Sequence, residues 1–220
     1  FRTSAAAPAG NASTPEQLLA LVEQRISVQR ALYGVRSRTP IYVLPTDDRG
    51  ELEDRPLRVA IVQTLRPRRE EFDVKDPLHW TPGVLAEHRR HLAEVCRLAV
   101  QQLRTWASAR PPKLKEVEEE TPIVDVVLFP ELAVHPEHVF LLRRLSDKLK
   151  SNVFAGLTFT QSKKLGAPIN QGLWLIRSAS KEHGRNIQYA WQGKRYLTKD
   201  ELAMGVKEYR PHITLVELPI

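Results

Sequence analysis

Seven consecutive residues, Ile123-Val124-Asp125-Val126-Val127-Leu128-Phe129, are apolar apart from one carboxylate, and Pro130 follows them. Four of the seven are β-branched. A short, continuous run of this kind predicts a strand buried on both faces and ended by Pro130, because a strand with one wet face would alternate apolar and polar residues. A strand covered on both sides requires packed layers around it. The chain is thereby restricted to layered folds in which helices or further strands flank a sheet.

The segments around this run agree. Leu57 to Thr64 and Val153 to Phe159 read as strands, as do Asn170 to Arg177, Ile187 to Trp191 and Ile213 to Leu218. Between them, Val84 to Trp106 spaces Leu85, Leu92, Val95, Cys96, Ala99, Leu103 and Trp106 near one face of a helix, stopped by Pro111 and Pro112. Pro136 opens a second helix that runs to about Leu149, and Lys199 to Met204 precedes the last strand. The order β-α-β-α-β-β predicts an α/β or α+β layered domain. The helices of 84–106 and 136–149 are expected on one face of the sheet, with Cys96 buried against it.

Three further regions complete the organisation. Residues 1–12 are Ala, Gly, Pro and small polar groups, which predict a flexible lead. Residues 13–56 are expected to hold a helix from Ser13 to Leu32, with a Ser13/Glu16 capping box and an apolar face of Leu18, Leu19, Val22, Ile26 and Val28, followed by a connector containing Ile41-Tyr42-Val43-Leu44. The layered domain occupies 57–220 and is interrupted by a charged insert near 107–122. A chain that opens on Phe1, without Met or an apolar signal core, is expected to be processed or cut from something longer.

Composition excludes several classes of function. With 33 Lys+Arg against 26 Asp+Glu in 220 residues the net charge is +7, but it is spread evenly. Residues 1–110 carry 17 basic and 13 acidic groups, and 111–220 carry 16 and 13. No basic stripe marks a nucleic-acid module. No apolar run approaches the ~20 residues that span a bilayer, so no membrane partner is expected. A single cysteine closes no internal disulfide and fits a reducing, cytoplasmic compartment. No phosphate-binding glycine loop occurs.

A few residues have the type and place to carry chemistry. Glu131 follows the buried strand directly, at the carboxyl end where open α/β sheets place their sites. It is either a general base whose pKa is raised by partial burial or an ordinary loop carboxylate beside the next helix. Lys194 follows a strand in Trp191-Gln192-Gly193-Lys194-Arg195-Tyr196-Leu197, where aromatic neighbours can aim an ammonium; taken alone, it reads equally as a solvated lysine in a basic turn. Cys96 sits mid-helix on the apolar face and is expected to be an inert core thiol. His88/His91 and His135/His138 form two H-x-x-H pairs, the first on the charged face of a helix and the second interrupted by Pro136. Neither brings a third ligand at zinc spacing, so no metal is expected.

Read together, these segments resemble the nitrilase, or carbon–nitrogen hydrolase, superfamily. Leu57-Arg58-Val59-Ala60-Ile61-Val62-Gln63 is similar to that family's opening strand, and Asp125 to Ala133 is similar to its F-P-E segment. Val153-Phe154-Ala155-Gly156 and Ile169-Asn170-Gln171-Gly172-Leu173-Trp174 resemble its next two strands. Gly193-Lys194-Arg195-Tyr196-Leu197 resembles its lysine motif, 63 residues after Glu131, and Glu201 falls where many members have a second glutamate. The resemblance implies a nitrilase-like sandwich, truncated at its C-terminus, with Glu131 as general base, Lys194 stabilising the oxyanion and Glu201 orienting Lys194 or substrate. It implies hydrolysis of a small amide or nitrile, with no metal or organic cofactor needed.

The family's nucleophilic cysteine follows the lysine motif, yet no cysteine follows Lys194 in the 26 residues that remain. The cysteine is then expected beyond this chain, and the 220 residues alone are expected to be inactive. The alternative is a catalytically inactive nitrilase-like scaffold. The helix and connector upstream resemble the arrangement in bacterial antiviral-defence reverse transcriptases with a nitrilase-like C-terminal domain, although no Y-x-D-D motif occurs here. On either reading the expected partners are a larger parent chain or further copies of this one. Nucleic acid is expected only through a parent polymerase.

Overall fold

A computed structural model of the chain describes residues 14–33, 41–44, 57–64, 75–109, 122–178, 186–209 and 212–216. By internal contacts the chain divides into Phe1–Pro40 and Ile41–Ile220. In the first unit, helix α1 spans Pro15–Tyr33. Its start is capped by Thr14, whose hydroxyl accepts from the Gln17 backbone N–H at 3.3 Å. The cap therefore falls one residue after the predicted Ser13, which places Pro15 at the first helical position, where its missing N–H costs nothing. Leu18 and Leu19, predicted on the apolar face, are exposed, Val22 is half-buried, and the side chains of Ile26 and Val28 lie outside the described residues.

The second unit is a mixed α/β layer structure. Strands β2 (Val59–Ile61), β3 (Val126–Val134), β4 (Asn152–Leu157), β7 (Gln171–Ser178) and β8 (Asn186–Gly193) form a five-stranded sheet in that order. β2, β3 and β4 run parallel, and β7 and β8 are antiparallel to their neighbours. Strand β1 (Ile41–Leu44), read from sequence as part of a connector, pairs in parallel with β9 (Ile213–Val216). A hairpin of β5 (Thr160–Ser162) and β6 (Ala167–Ile169) has no counterpart in the sequence reading. Residues 110–121, most of the expected insert, lie outside the described residues.

The core explains the order. Helix α2 (Pro82–Ser108) and helix α3 (Val139–Leu149), which is preceded by a 3₁₀ turn at Pro136–His138, pack together on one face of the sheet. Leu92 and Cys96 from α2 and Leu142, Leu145 and Leu149 from α3 meet Val127, Phe129, Val153, Ala155, Leu173 and Leu175 from the sheet. The register sets Val127, Val153 and Leu175 in one row and Phe129, Ala155 and Leu173 in the next, so the large side chains of this face lie beneath the helices. Cys96 is buried there, as predicted.

The opposite face carries Val59, Ile61, Leu128, Phe154 and Trp174, with the Phe154 and Trp174 rings 4.8 Å apart. Leu128, Phe154 and Trp174 are only half-buried, and Ile61 is 71% exposed. Among the described residues of this unit no helix closes this face.

Strand β3 departs from its predicted end. Instead of stopping at Pro130 it continues to Val134, but pairing with β4 breaks between Phe129↔Ala155 and Val134↔Leu157. Four residues of β3 stand against one of β4. Proline has no N–H to donate, so the ladder is interrupted where the irregularity begins. Leu132 takes a left-handed φ of 58°, a conformation that costs a residue with a Cβ of order 1 kcal/mol or more. Its side chain packs with Phe159, Val206, Leu78, Trp80, Leu197 and Met204, a second apolar cluster that holds the turn in place.

Candidate active site

The irregularity in β3 aims Glu131 away from the core. The backbone at this point presses close to β4: a Cβ added to Gly156 would lie 2.7 Å from the Pro130 carbonyl oxygen and closer still to the Glu131 Cα. Only glycine fits there. Lys194 follows the end of β8, with its backbone N–H donating to the Asn170 carbonyl at 3.0 Å. Glu201 lies in the short helix α4 (Lys199–Ala203), locked by a capping box. The Thr198 hydroxyl accepts from the Glu201 N–H at 3.2 Å, and Glu201 Oε2 accepts from the Thr198 N–H at 2.7 Å.

These three residues converge. The Lys194 ammonium donates to Glu131 Oε1 at 2.7 Å and to Glu201 Oε2 at 2.9 Å. Asn170, between β6 and β7, completes the cluster. Its Nδ2 donates to Glu131 Oε1 at 2.7 Å and to Glu201 Oε1 at 2.5 Å. Glu201 and Asn170 are buried, Lys194 is half-buried and the Glu131 side chain is 48% exposed.

Burial alone would push the Glu201 carboxyl up. Hydrogen bonds from the Thr198 backbone, Asn170, Lys194 and the Thr198 hydroxyl outweigh it and hold Glu201 below the usual carboxylate range. Burial likewise pushes Lys194 down, and the two glutamates more than reverse it, so its pKa is raised. The cluster therefore holds a charged lysine against carboxylates, one buried and closed and one open to solvent.

Cys96 takes no part in this cluster. It is buried among apolar residues of α2, and desolvation pushes its thiol up to about 12, where a thiolate is not populated at neutral pH.

The histidines are arranged differently from their sequence spacing. His88 is not on a charged helix face but packs across to the 3₁₀ turn. The rings of His88 and His138 stack with centroids 5.1 Å apart and their Nδ1 atoms 2.9 Å apart, while His88 Nε2 lies 3.1 Å from the Ala133 carbonyl. A carbonyl only accepts, so His88 Nε2 carries a proton; in the neutral pair His138 Nδ1 then donates to His88 Nδ1. His135 and Trp80 close the group, each of the two lying against the other's ring. Burial pushes all three histidines down, His138 to about 4, aided by the repulsion that a charge on His138 would meet from His88, His135 and Arg89. The bond from His88 to Ala133 anchors β3 two residues beyond Glu131. Among the described residues no group of three or more His, Cys, Asp or Glu could hold a metal ion.

Asn170 was visible in the sequence only as part of a strand motif, since nothing in its spacing says which groups it will face. Glu201 was named only through the resemblance, although a local signal also marks it: Thr198-Lys199-Asp200-Glu201 is an S/T-x-x-E capping sequence, which fixes a glutamate at the first turn of a helix.

No family model matches this chain, and no curated protein matches it. Among solved structures, the central domain of yeast acetyl-CoA carboxylase is similar to it at 15% identity, with a TM-score of 0.27. That similarity covers 64% of this chain, which spans only 18% of that one. A likeness this distant carries no argument about fold or function. No helix among the described residues is long and apolar enough to cross a membrane.

Proposed function

We propose that residues 57–220 belong to a carbon–nitrogen hydrolase of the nitrilase type, acting on an amide or nitrile with a cysteine supplied by chain outside these 220 residues. The observation that carries the reading is the contact between Glu131 and Lys194, 63 residues apart in sequence and 2.7 Å apart in the fold, with Glu201 on the same ammonium. A general base and a fixed cation beside each other are what acyl transfer through a thiol needs.

In this mechanism Glu131 takes the proton of the thiol, and the thiolate attacks the carbonyl carbon of an amide. The Lys194 ammonium stabilises the negative oxygen of the tetrahedral intermediate. Glu131 returns the proton to the leaving amine, and a thioester remains. Glu131 then takes a proton from water, whose hydroxide attacks the thioester; collapse releases the acid and the thiol. Glu201 orients Lys194 throughout. Lys194 keeps its proton, because both carboxylates hold it.

The open face of the sheet supports the sandwich that this reading requires. Val59, Ile61, Leu128, Phe154 and Trp174 form an apolar surface suited to a second sheet packed about 10 Å away. In the hydrolase that layer comes from further along the parent chain. The same surface supports a second reading, an inactive nitrilase-like scaffold that assembles through this face. A bacterial antiviral-defence reverse transcriptase is the parent proposed on either reading, supported by the separate unit Phe1–Pro40 ahead of the α/β unit.

The test is ammonia release from a panel of amides and nitriles, assayed with the 220-residue chain and with its longer parent. The hydrolase reading expects turnover from the parent alone. A parent that carries a downstream cysteine and still gives no turnover favours the scaffold.

A further inference from the structure

Asn170 is 3% exposed, and a side-chain amide so deeply placed must find partners for both of its N–H groups. It finds one on each glutamate. The two facing oxygens, Glu131 Oε1 and Glu201 Oε1, belong to the two carboxyl groups that accept from the Lys194 ammonium, so the amide atom between them is the donating nitrogen. The backbone carbonyl of the same residue accepts the Lys194 N–H at 3.0 Å. One residue thus touches all three charged members of the cluster.

Counting acceptors shows what this contact achieves. Glu201 has both oxygens occupied: Oε1 by Asn170, and Oε2 by Lys194 and Thr198. Glu131 Oε1 takes both Lys194 and Asn170. Glu131 Oε2 has no hydrogen-bond partner among the described residues, on a side chain that is 48% exposed.

We infer that Asn170 is the positioning residue of this site: its amide spans the two carboxylates and leaves Glu131 Oε2 as the one carboxylate oxygen free to exchange a proton. The inference rests on the hydrolase reading for its catalytic consequence and on geometry for its structure. An amide suits the task because it donates twice without adding charge. With one lysine between two carboxylates, a second cation in its place would compete with Lys194 for both. An aspartate of nearly the same shape would remove both donors and add a third negative group.

The experiment follows the ¹⁵N-labelled side-chain amide of Asn170 and the ¹³C-labelled carboxyls of Glu131 and Glu201 by NMR through a pH titration of the 220-residue chain. The Asn170 amide signals are expected to shift together with the Glu201 carboxyl, and Asn170→Ala is expected to move the Glu201 titration to higher pH. Asn170 amide signals that follow neither glutamate would overturn the inference. An unchanged Glu201 titration in a folded Asn170→Ala chain would do the same. Should Asn170→Ala not fold, the wild-type amide titration decides alone.

In an active parent, Asn170→Ala is expected to lower kcat/KM about 100-fold and to displace the acid limb of its pH profile. A folded variant with an unmoved acid limb counts against the positioning role. A parent with no turnover at all counts against the hydrolase reading only, since the amide titration does not depend on it.

Discussion

Strand β3 has a carboxylate paired to a cation just before its start and another within its irregular stretch, and the two differ in how completely the pair is closed. Before the start, Asp125 is 4% exposed and accepts from the Arg58 backbone N–H, Nε and Nη2 at 2.7, 3.2 and 3.1 Å, while Arg58 Nη2 also reaches the Pro122 carbonyl at 2.9 Å. In the irregular stretch, Glu131 meets Lys194 with one oxygen and leaves the other in the open. A closed pair has every acceptor occupied and serves to fasten β2 to β3. An open one can take and return a proton. The difference between them is burial and partner count, not charge.

The largest effect expected from this contrast is on stability. Asp125→Ala leaves the Arg58 guanidinium half-buried and without its bidentate partner, a loss of about 3–5 kcal/mol by the usual cost of breaking a buried pair. Glu131→Gln, at a side chain half in solvent, should change stability by less than about 1 kcal/mol. Urea unfolding of both variants measures the two numbers side by side. Equal losses would mean that the two pairs are not different in kind.

Gly156→Ala comes next. Its added methyl meets the backbone of Pro130 and Glu131, which cannot give way as a side-chain tip would. A cost of about 1–3 kcal/mol is expected, with Glu131 displaced from Lys194. A crystal structure of this variant with the Lys194–Glu131 contact intact would remove the argument for glycine there.

Acid should produce a smaller and staged effect. His88, His135 and His138 have folded pKa values below that of an exposed histidine, so the unfolded chain binds protons first. Their contribution is complete above about pH 6.5 and declines as pH falls toward the folded value, about 4 for His138. Besides one another they face Arg89, His91 and Glu137, of which only Glu137 opposes the shift. Glu201, also depressed, contributes above the ordinary carboxylate pKa and is lost at lower pH still. Thermal melts between pH 7 and 4 should show the first decline, and His138→Phe should flatten it. A melting temperature constant over that range in the native chain would contradict the neutral His88–His138 pair.

How much of this was legible in the sequence follows from the range of each interaction. The β-branched run 123–129 and the helical spacing of Leu92, Cys96 and Leu103 placed the sheet and its helix layer, because burial patterns repeat locally along the chain. Glu131 stood out by its place directly after the buried strand and Lys194 by resemblance, and the fold brings them together. The passage of β3 beyond Pro130 was missed because it depends on the second apolar cluster under Leu132, whose members come from distant segments. The His88–His138 pair was missed for the same reason: sequence spacing pairs each with the wrong neighbour. Asn170 had no sequence signal for its partners, since the three charged groups that it joins reach it only through the sheet.

The most direct measurement is ammonia release by the longer parent, its Glu131→Gln variant and the 220-residue chain under one set of conditions. The account predicts turnover by the parent, a loss of about 10²–10⁴-fold in Glu131→Gln, and none from the 220 residues alone. Turnover by the 220-residue chain that disappears on Cys96→Ala would contradict it, because a thiol held near 12 in the core would then be the nucleophile.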